Sequence, residues 1–154
     1  MNIDFANLKL AYKTNQAEFE KEMSRVLSSA SYIMGPEIEK LESELCKFIS
    51  AKHSITCSSG TDALLLAMMA LGIVPGDEII TTPFTFIATA ETIALLGAKP
   101  VFVDIDNDTY NIDSSQIESK INNKTKAIIP VSLFGQVADI EEINCLAEKY
   151  KLPV

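Results

Sequence analysis

Residues 53–71, HSITCSSGTDALLLAMMAL, read as three pieces in succession: a short apolar strand at 53–57, a Ser-Ser-Gly-Thr turn, and a helix opening at Gly60-Thr61. So little of the helix is polar that it is expected to be covered on most sides. A helix starting there aims unsatisfied backbone N–H groups, and the positive end of its dipole, into the space above the turn. That is an anion site in prospect: Gly60 would let a phosphate approach the backbone closely, and the hydroxyls of Ser58, Ser59 and Thr61 could donate to its oxygens. The plainer reading is that Ser59 or Thr61 caps a core helix. Both readings stand at this point.

Working outward, Gly72 stops the helix and Pro75-Gly76 makes a turn, Pro suiting its first corner and Gly its second. A strand is expected at 78–82, ended by Pro83, then a helix at 87–96 closed by Gly97. The pattern continues with a strand at 100–104, a helix at 114–121 capped by Asp113, a strand at 126–131, a loop through Gly135-Gln136 and a helix at 139–150. Leu152-Pro153-Val154 has the character of another strand beginning. Strands alternating with helices at this spacing pair in parallel through crossovers, and apolar strands of this kind belong to a sheet covered on both faces. Ligands of such sheets bind beyond the carboxyl ends of the strands. The turn at 58–61 and the loops at 83–86 and 132–136 all fall there.

Upstream, residues 1–14 form an apolar arm without clear periodicity. Asn15 with Glu18 resembles a capping box for a first helix carrying Phe19, Met23, Val26, Leu27 and Ala30. Gly35-Pro36 opens a second helix, with Ile38, Leu41, Leu45 and Phe48 on one face. Both are amphipathic and need a partner.

Composition bounds the rest. The chain has 154 residues, 47% of them hydrophobic and 22% charged, which suits one soluble domain with a core. Thirteen Lys and Arg against twenty-one Asp and Glu give a net charge of -8 with no basic cluster, which argues against nucleic acid or an anionic membrane as partner. No apolar run reaches spanning length and the N-terminus is not a signal peptide, so the expected location is cytoplasmic. Cys46, Cys57 and Cys145 lack paired metal or redox spacing and read as reduced core thiols, and the lone His53 reads as structural or surface rather than catalytic. No metal site is expected. Asp104, Asp106 and Asp108 imitate a calcium loop, but Thr109 stands where the loop needs Gly and Ser115 where it needs Glu, so they read as a polar strand-exit turn. Neither G-x-G-x-x-G nor a Walker loop occurs. Phe84 and Phe86 straddle a strand-to-helix turn, where they serve either as core or as a ring stacking on a bound aromatic.

The run GPEIEKLESELCKFISAKHSITCSSGTDALLLAMMALGIVPGDEIITTPFTFIATAETIALLGAKPVFVDID, followed by TKAIIPVSLFGQVADIEEI, closely resembles the DegT-type nucleotide-sugar aminotransferases, which are pyridoxal-phosphate enzymes of fold type I. The resemblance implies a three-layer α/β/α fold with a mostly parallel sheet, and makes residues 1–154 the N-terminal part of a truncated large, cofactor-binding domain with a helical arm at 1–50. It implies that the strand at 78–82 lies between those at 100–104 and 126–131, with the strand at 53–57 set apart across a gap that later strands fill. The cofactor implied is pyridoxal 5'-phosphate. Gly60 and Thr61 match the turn that holds its phosphate, and Phe86 matches the aromatic that stacks on its pyridine ring. Ser132 and Gln136 lie in a loop near the cofactor in the family, and Asp62 is expected to turn its carboxylate away from the phosphate.

No catalytic residue is matched. The family's Asp on the pyridine nitrogen and its Schiff-base lysine belong to segments beyond Val154, and Lys52, Lys99, Lys124 and Lys126 match neither. By resemblance the activity is transfer of an amino group, with glutamate as donor, to a keto-sugar on a nucleotide, UDP being the nearest fit, in amino-sugar or surface-polysaccharide biosynthesis and by a homodimer when full length. Two rivals stand beside it: a sugar dehydratase of the same family, with histidine at the lysine position, and a non-catalytic phosphate-binding or interaction domain.

Overall fold

The computed structural model describes residues 6–154. The chain divides into two compact units, 1–56 and 57–154.

Among the described residues the first unit holds three helices. Leu8–Thr14 (α1) is a helix that hydrophobic periodicity did not announce; its start is local chemistry, the Asn7 side chain accepting the Leu10 N–H at 2.9 Å. The remainder of the expected arm, residues 1–5, lies outside the described residues. Gln16–Ser29 (α2) begins where expected, but the capping box does not form. Asn15 also ends α1, and its side-chain amide donates back to Ala11 O at 3.1 Å, while its own carbonyl accepts the Phe19 N–H at 3.0 Å to open α2. Pro36–Ile49 (α3) starts as read, with Pro at its first position behind Gly35. That glycine is required by space: a Cβ on it would lie 2.4 Å from the Ser31 carbonyl oxygen. No helical side chain of this unit is buried, and Phe48 stands 86% exposed, so the two apolar faces are uncovered. Arg25 bridges Glu22 and Glu37 at 2.6 Å each, but these are solvent-exposed pairs of little net value.

Residues 53–57, expected as a strand, form none, and Ile55 is 82% exposed. A β-ladder needs a neighbour to share its N–H and C=O groups, and the composition of the segment cannot supply one. It is anchored through a side chain, the Glu42 carboxylate accepting the Thr56 N–H at 2.8 Å and the Thr56 hydroxyl at 2.9 Å.

The second unit is the α/β body. Gly60–Ala70 (α4) leads to strand Glu78–Thr81 (β1), helix Ala88–Leu95 (α5), strand Lys99–Phe102 (β2), the short helix Ser114–Ile117 (α6) with a following 3-10 turn, strand Thr125–Ile128 (β3), and helix Ile140–Tyr150 (α7). The sheet runs β2-β1-β3, every pair parallel, which is the order the resemblance implied for these strands. Alternate strand residues go to opposite faces. On one face Ile79 and Ala127 pack with Met68 of α4 and Ile93 of α5; on the other Ile80 and Ile128 pack with Ile117 of α6 and with Ile143 and Ala147 of α7. Three layers result, helices over a sheet over helices. The outer edge of β3 is met by the chain's own end, Ile128 N–H donating to Pro153 O at 3.0 Å, but residues 152–154 form no strand.

Two expectations are corrected here. In α4 only Met68 is buried, with Leu66 and Met69 exposed, because one face of the helix meets the sheet and the opposite face has no layer above it. The cysteines are free but not core thiols: Cys57 and Cys145 are exposed and Cys46 is half-buried. Among the described residues no helix is long and apolar enough to cross a membrane.

Candidate functional site

The turn at 58–61 opens α4 as a capped helix. Ser59, in extended conformation, is the N-cap: its Oγ accepts the Asp62 N–H at 3.1 Å and its carbonyl accepts the Ala63 N–H at 3.0 Å. That leaves the N–H groups of Gly60 and Thr61 with no intrahelical acceptor, at the positive end of an eleven-residue helix. The capping and anion-binding readings are therefore compatible, since the cap uses the N–H groups one and two residues further on. A Cβ on Gly60 would meet nothing within 4 Å, so the backbone there is open to approach. The Asp62 carboxylate accepts a hydrogen bond from the Ser58 hydroxyl. Ser58 thus spends its proton within the turn, whereas Ser59 only accepts there, so of the three hydroxyls the sequence offered to an anion those of Ser59 and Thr61 keep a proton to donate.

Phe86 lies in the loop between β1 and α5, 70% exposed, with its carbonyl accepting the Thr89 N–H at 3.3 Å. Helices α4 and α5, which follow the turn at 58–61 and the loop carrying Phe86, pack on the same sheet face through Met68 and Ile93. The end of β1, from which the Phe86 loop leaves, is tied to the residue after β3 by Thr81, fully buried, whose hydroxyl donates to Ile129 O at 2.8 Å. Ser132 and Gln136 serve their own loop: Ser132 O accepts the Gly135 N–H at 3.0 Å, Ser132 Oγ accepts the Ala138 N–H at 3.3 Å, and Gln136 contributes its carbonyl to Asn111.

In the loop after β2, where the sequence reading saw a polar strand-exit turn, it missed the role of Tyr110. Tyr110 sits there at φ 60°, a left-handed conformation that costs a residue with a Cβ, and its ring packs on Phe84 at 5.9 Å and edge-on to Phe134 at 6.1 Å. The Asp residues of this loop close it as a polar turn. Asp106 Oδ1 accepts the N–H groups of Asp108 (3.0 Å) and Thr109 (2.9 Å), and these bonds, Thr109's foremost, hold its carboxyl below the usual aspartate range. A cleft of about 380 Å³ adjoins it, lined by Asp106, Asn111, Asp113, Gln136 and Asp139 among others, and neither the α4 turn nor Phe86 lines it. Among the described residues no group of three or more His, Cys, Asp or Glu is placed to hold a metal ion.

Residues 13–154 match the model of the DegT/DnrJ/EryC1/StrS aminotransferase family. The chain belongs to this family. It is 53% identical over 152 residues, 99% of its length, to the UDP-2-acetamido-2-deoxy-3-oxo-D-glucuronate aminotransferase of Pseudomonas aeruginosa, and covers 42% of that protein. Among solved structures it matches DesV of S. venezuelae with a TM-score of 0.94 and 38% identity, over 97% of this chain and 40% of that one. It also matches NtdA of Bacillus subtilis, solved with bound cofactor PMP, with a TM-score of 0.88 and 35% identity, over 90% of this chain and 32% of that one. The chain thus spans between 32% and 42% of the length of these family members.

Proposed function

We propose that residues 1–154 are the N-terminal part of the large, cofactor-binding domain of a pyridoxal-phosphate-dependent aminotransferase that acts on a nucleotide-linked keto-sugar. The observation that carries this is the family match over residues 13–154 together with a helix start whose free N–H groups fall on Gly60 and Thr61. In this reading Gly60 and Thr61 take the cofactor's phosphate through backbone N–H groups and the Thr61 hydroxyl, and Phe86 lies against the pyridine ring. Pyridoxal phosphate, when bound, supplies the electron sink for amino transfer.

The contribution of these residues is binding and orientation. A phosphate held at the α4 start fixes one end of the cofactor, and an aromatic at Phe86 fixes the plane of the ring, so that the reacting face points where later parts of the enzyme can use it. The family's Schiff-base lysine and its Asp partner belong to those later parts, which accounts for the absence of a matched catalytic residue here. The P. aeruginosa relative supports a UDP-linked substrate, and glutamate as donor, a homodimeric assembly and a cytoplasmic location complete the proposal.

The complete enzyme, incubated with pyridoxal phosphate, glutamate and a UDP-linked keto-sugar, is expected to release 2-oxoglutarate in step with an amino sugar. Loss of the sugar hydroxyl with no 2-oxoglutarate would make it a dehydratase. No reaction with any nucleotide-linked keto-sugar would overturn the enzymatic reading.

A further inference from the structure

We infer that Tyr110 and Asn111 are positioning residues that set the spacing between the Phe86 loop and the Gln136 loop. The inference rests on the reading of Phe86 given above. β2 is an edge strand, so the loop leaving it could run anywhere over the surface; instead it reaches back across the sheet and touches the loops that leave both other strands. Tyr110 contacts Phe84, two residues before Phe86, at 5.9 Å, and Phe134, two before Gln136, at 6.1 Å, while Phe84 and Phe134 stand 6.2 Å apart. Asn111 doubles the second link: its side-chain amide donates to both Gln136 O and Val137 O at 3.3 Å, and the residue is only 5% exposed.

The loop is stiff enough to act as a strut. Asp106 N–H donates to Asn111 O and Tyr110 N–H to Asp106 O, each at 2.9 Å, and an antiparallel bridge joins Ile105 to Ile112. Core packing does not account for the aromatic trio. Phe84, Tyr110 and Phe134 remain 41%, 48% and 72% exposed and belong to neither of the two cores. Nor does the backbone favour a tyrosine: at φ 60° glycine or asparagine would be easier, so the ring is kept against the local preference. What the three rings do accomplish is to lock two ligand-facing loops at one separation.

The test uses the complete enzyme and titration of pyridoxal phosphate by absorbance. Tyr110→Gly removes the ring and relieves the left-handed strain together; it is expected to weaken cofactor affinity about two- to tenfold, the range of one aromatic pair, and Tyr110→Phe to restore it. Phe134→Ala removes the same packing without touching the strained residue, and is expected to follow Tyr110→Gly if that variant folds poorly. A double-mutant cycle between Tyr110→Gly and Phe86→Ala separates positioning from stability: coupled losses support the inference. Wild-type affinity in both Tyr110→Gly and Phe134→Ala, or losses that simply add, would overturn it while leaving the site standing, provided Phe86→Ala alone weakens binding. Wild-type affinity in Phe86→Ala would sink the site reading and the inference with it.

Discussion

Gly35 and Gly60 both stand at helix starts, for different reasons. Gly35 is needed by the chain itself, since any Cβ would press on the Ser31 backbone, whereas Gly60 has open space where a Cβ would go and no left-handed φ to justify it. A glycine that the fold does not need, placed where two helix N–H groups face outward, points to something that approaches from outside. The pair therefore makes a controlled comparison. Gly35→Ala is expected to destabilise by about 1 to 3 kcal/mol through overpacking against backbone, and Gly60→Ala to leave stability unchanged or raise it by about 0.5 to 1 kcal/mol, since alanine is the better helix residue. In the complete enzyme Gly60→Ala should nonetheless weaken cofactor binding, and Thr61→Val should weaken it by about 1 to 3 kcal/mol, the loss of a hydrogen bond to a charged group. Thermal melts and cofactor titrations on the same samples check both halves, and wild-type affinity in Gly60→Ala and Thr61→Val would remove the phosphate assignment.

Element by element, what was legible in the sequence was what local chemistry decides. Pro36 after Gly35 and Asp113 before Ser114 each fix a helix start with groups a few residues apart, and the apolar runs at 79–80 and 127–128 could only be strands covered on both faces. The segment at 53–57 has the composition of a strand too, but a strand exists only as part of a pair, and composition says nothing of whether a neighbour is present. The same limit hid the Tyr110 contacts, because Phe84, Tyr110 and Phe134 are brought together by the parallel order of β2, β1 and β3 rather than by any spacing in the chain. Thr81 belongs with these: nothing in the sequence marks it as the side chain that joins the ends of β1 and β3. Thr81→Val keeps the volume and removes the bond, and is expected to cost about 1 to 3 kcal/mol by leaving Ile129 O short of a donor in a buried place. Urea unfolding of the complete enzyme measures it. The loop after β2 adds a dependence on pH. Because the Asp106 carboxyl is held below its ordinary value of about 3.9, the turn it closes is fully stabilised above that value and loses the contribution as pH falls through the folded-state value. Amide exchange at Asp108 and Thr109 is expected to quicken on acidification below about pH 4, relative to its intrinsic rate, and to lose that step in Asp106→Asn; an unchanged step in that variant would assign it to another group.

Taken whole, the 154 residues carry more apolar surface than they can cover. Helices α2 and α3 have no buried side chain, α4 is exposed at Leu66 and Met69, and the sheet stops at three strands with only Pro153 beginning to pair along the edge of β3. An edge of this kind invites pairing with another chain, and backbone at 53–57 that belongs to no ladder has water as its alternative partner only while it stays exposed. The relatives it matches are more than twice as long, and the resemblance drawn from the sequence implies that further strands lie between β3 and the segment at 53–57. If so, the segment is a strand waiting for its neighbours, and its order is a property of the complete sheet rather than of these residues. The consequence can be measured by amide hydrogen exchange on the isolated 154-residue chain and on the complete enzyme. In the isolated chain, residues 53–57 are expected to exchange as unstructured backbone while Ile79, Ile80 and Ile128 retain whatever protection the chain can offer, and the sample is expected to self-associate as concentration rises. In the complete enzyme the same five residues should be among the protected. Strong protection at 53–57 in a soluble monomer of the isolated chain would mean that the strand finds its partner within these residues, and the proposed placement of the later strands would fall.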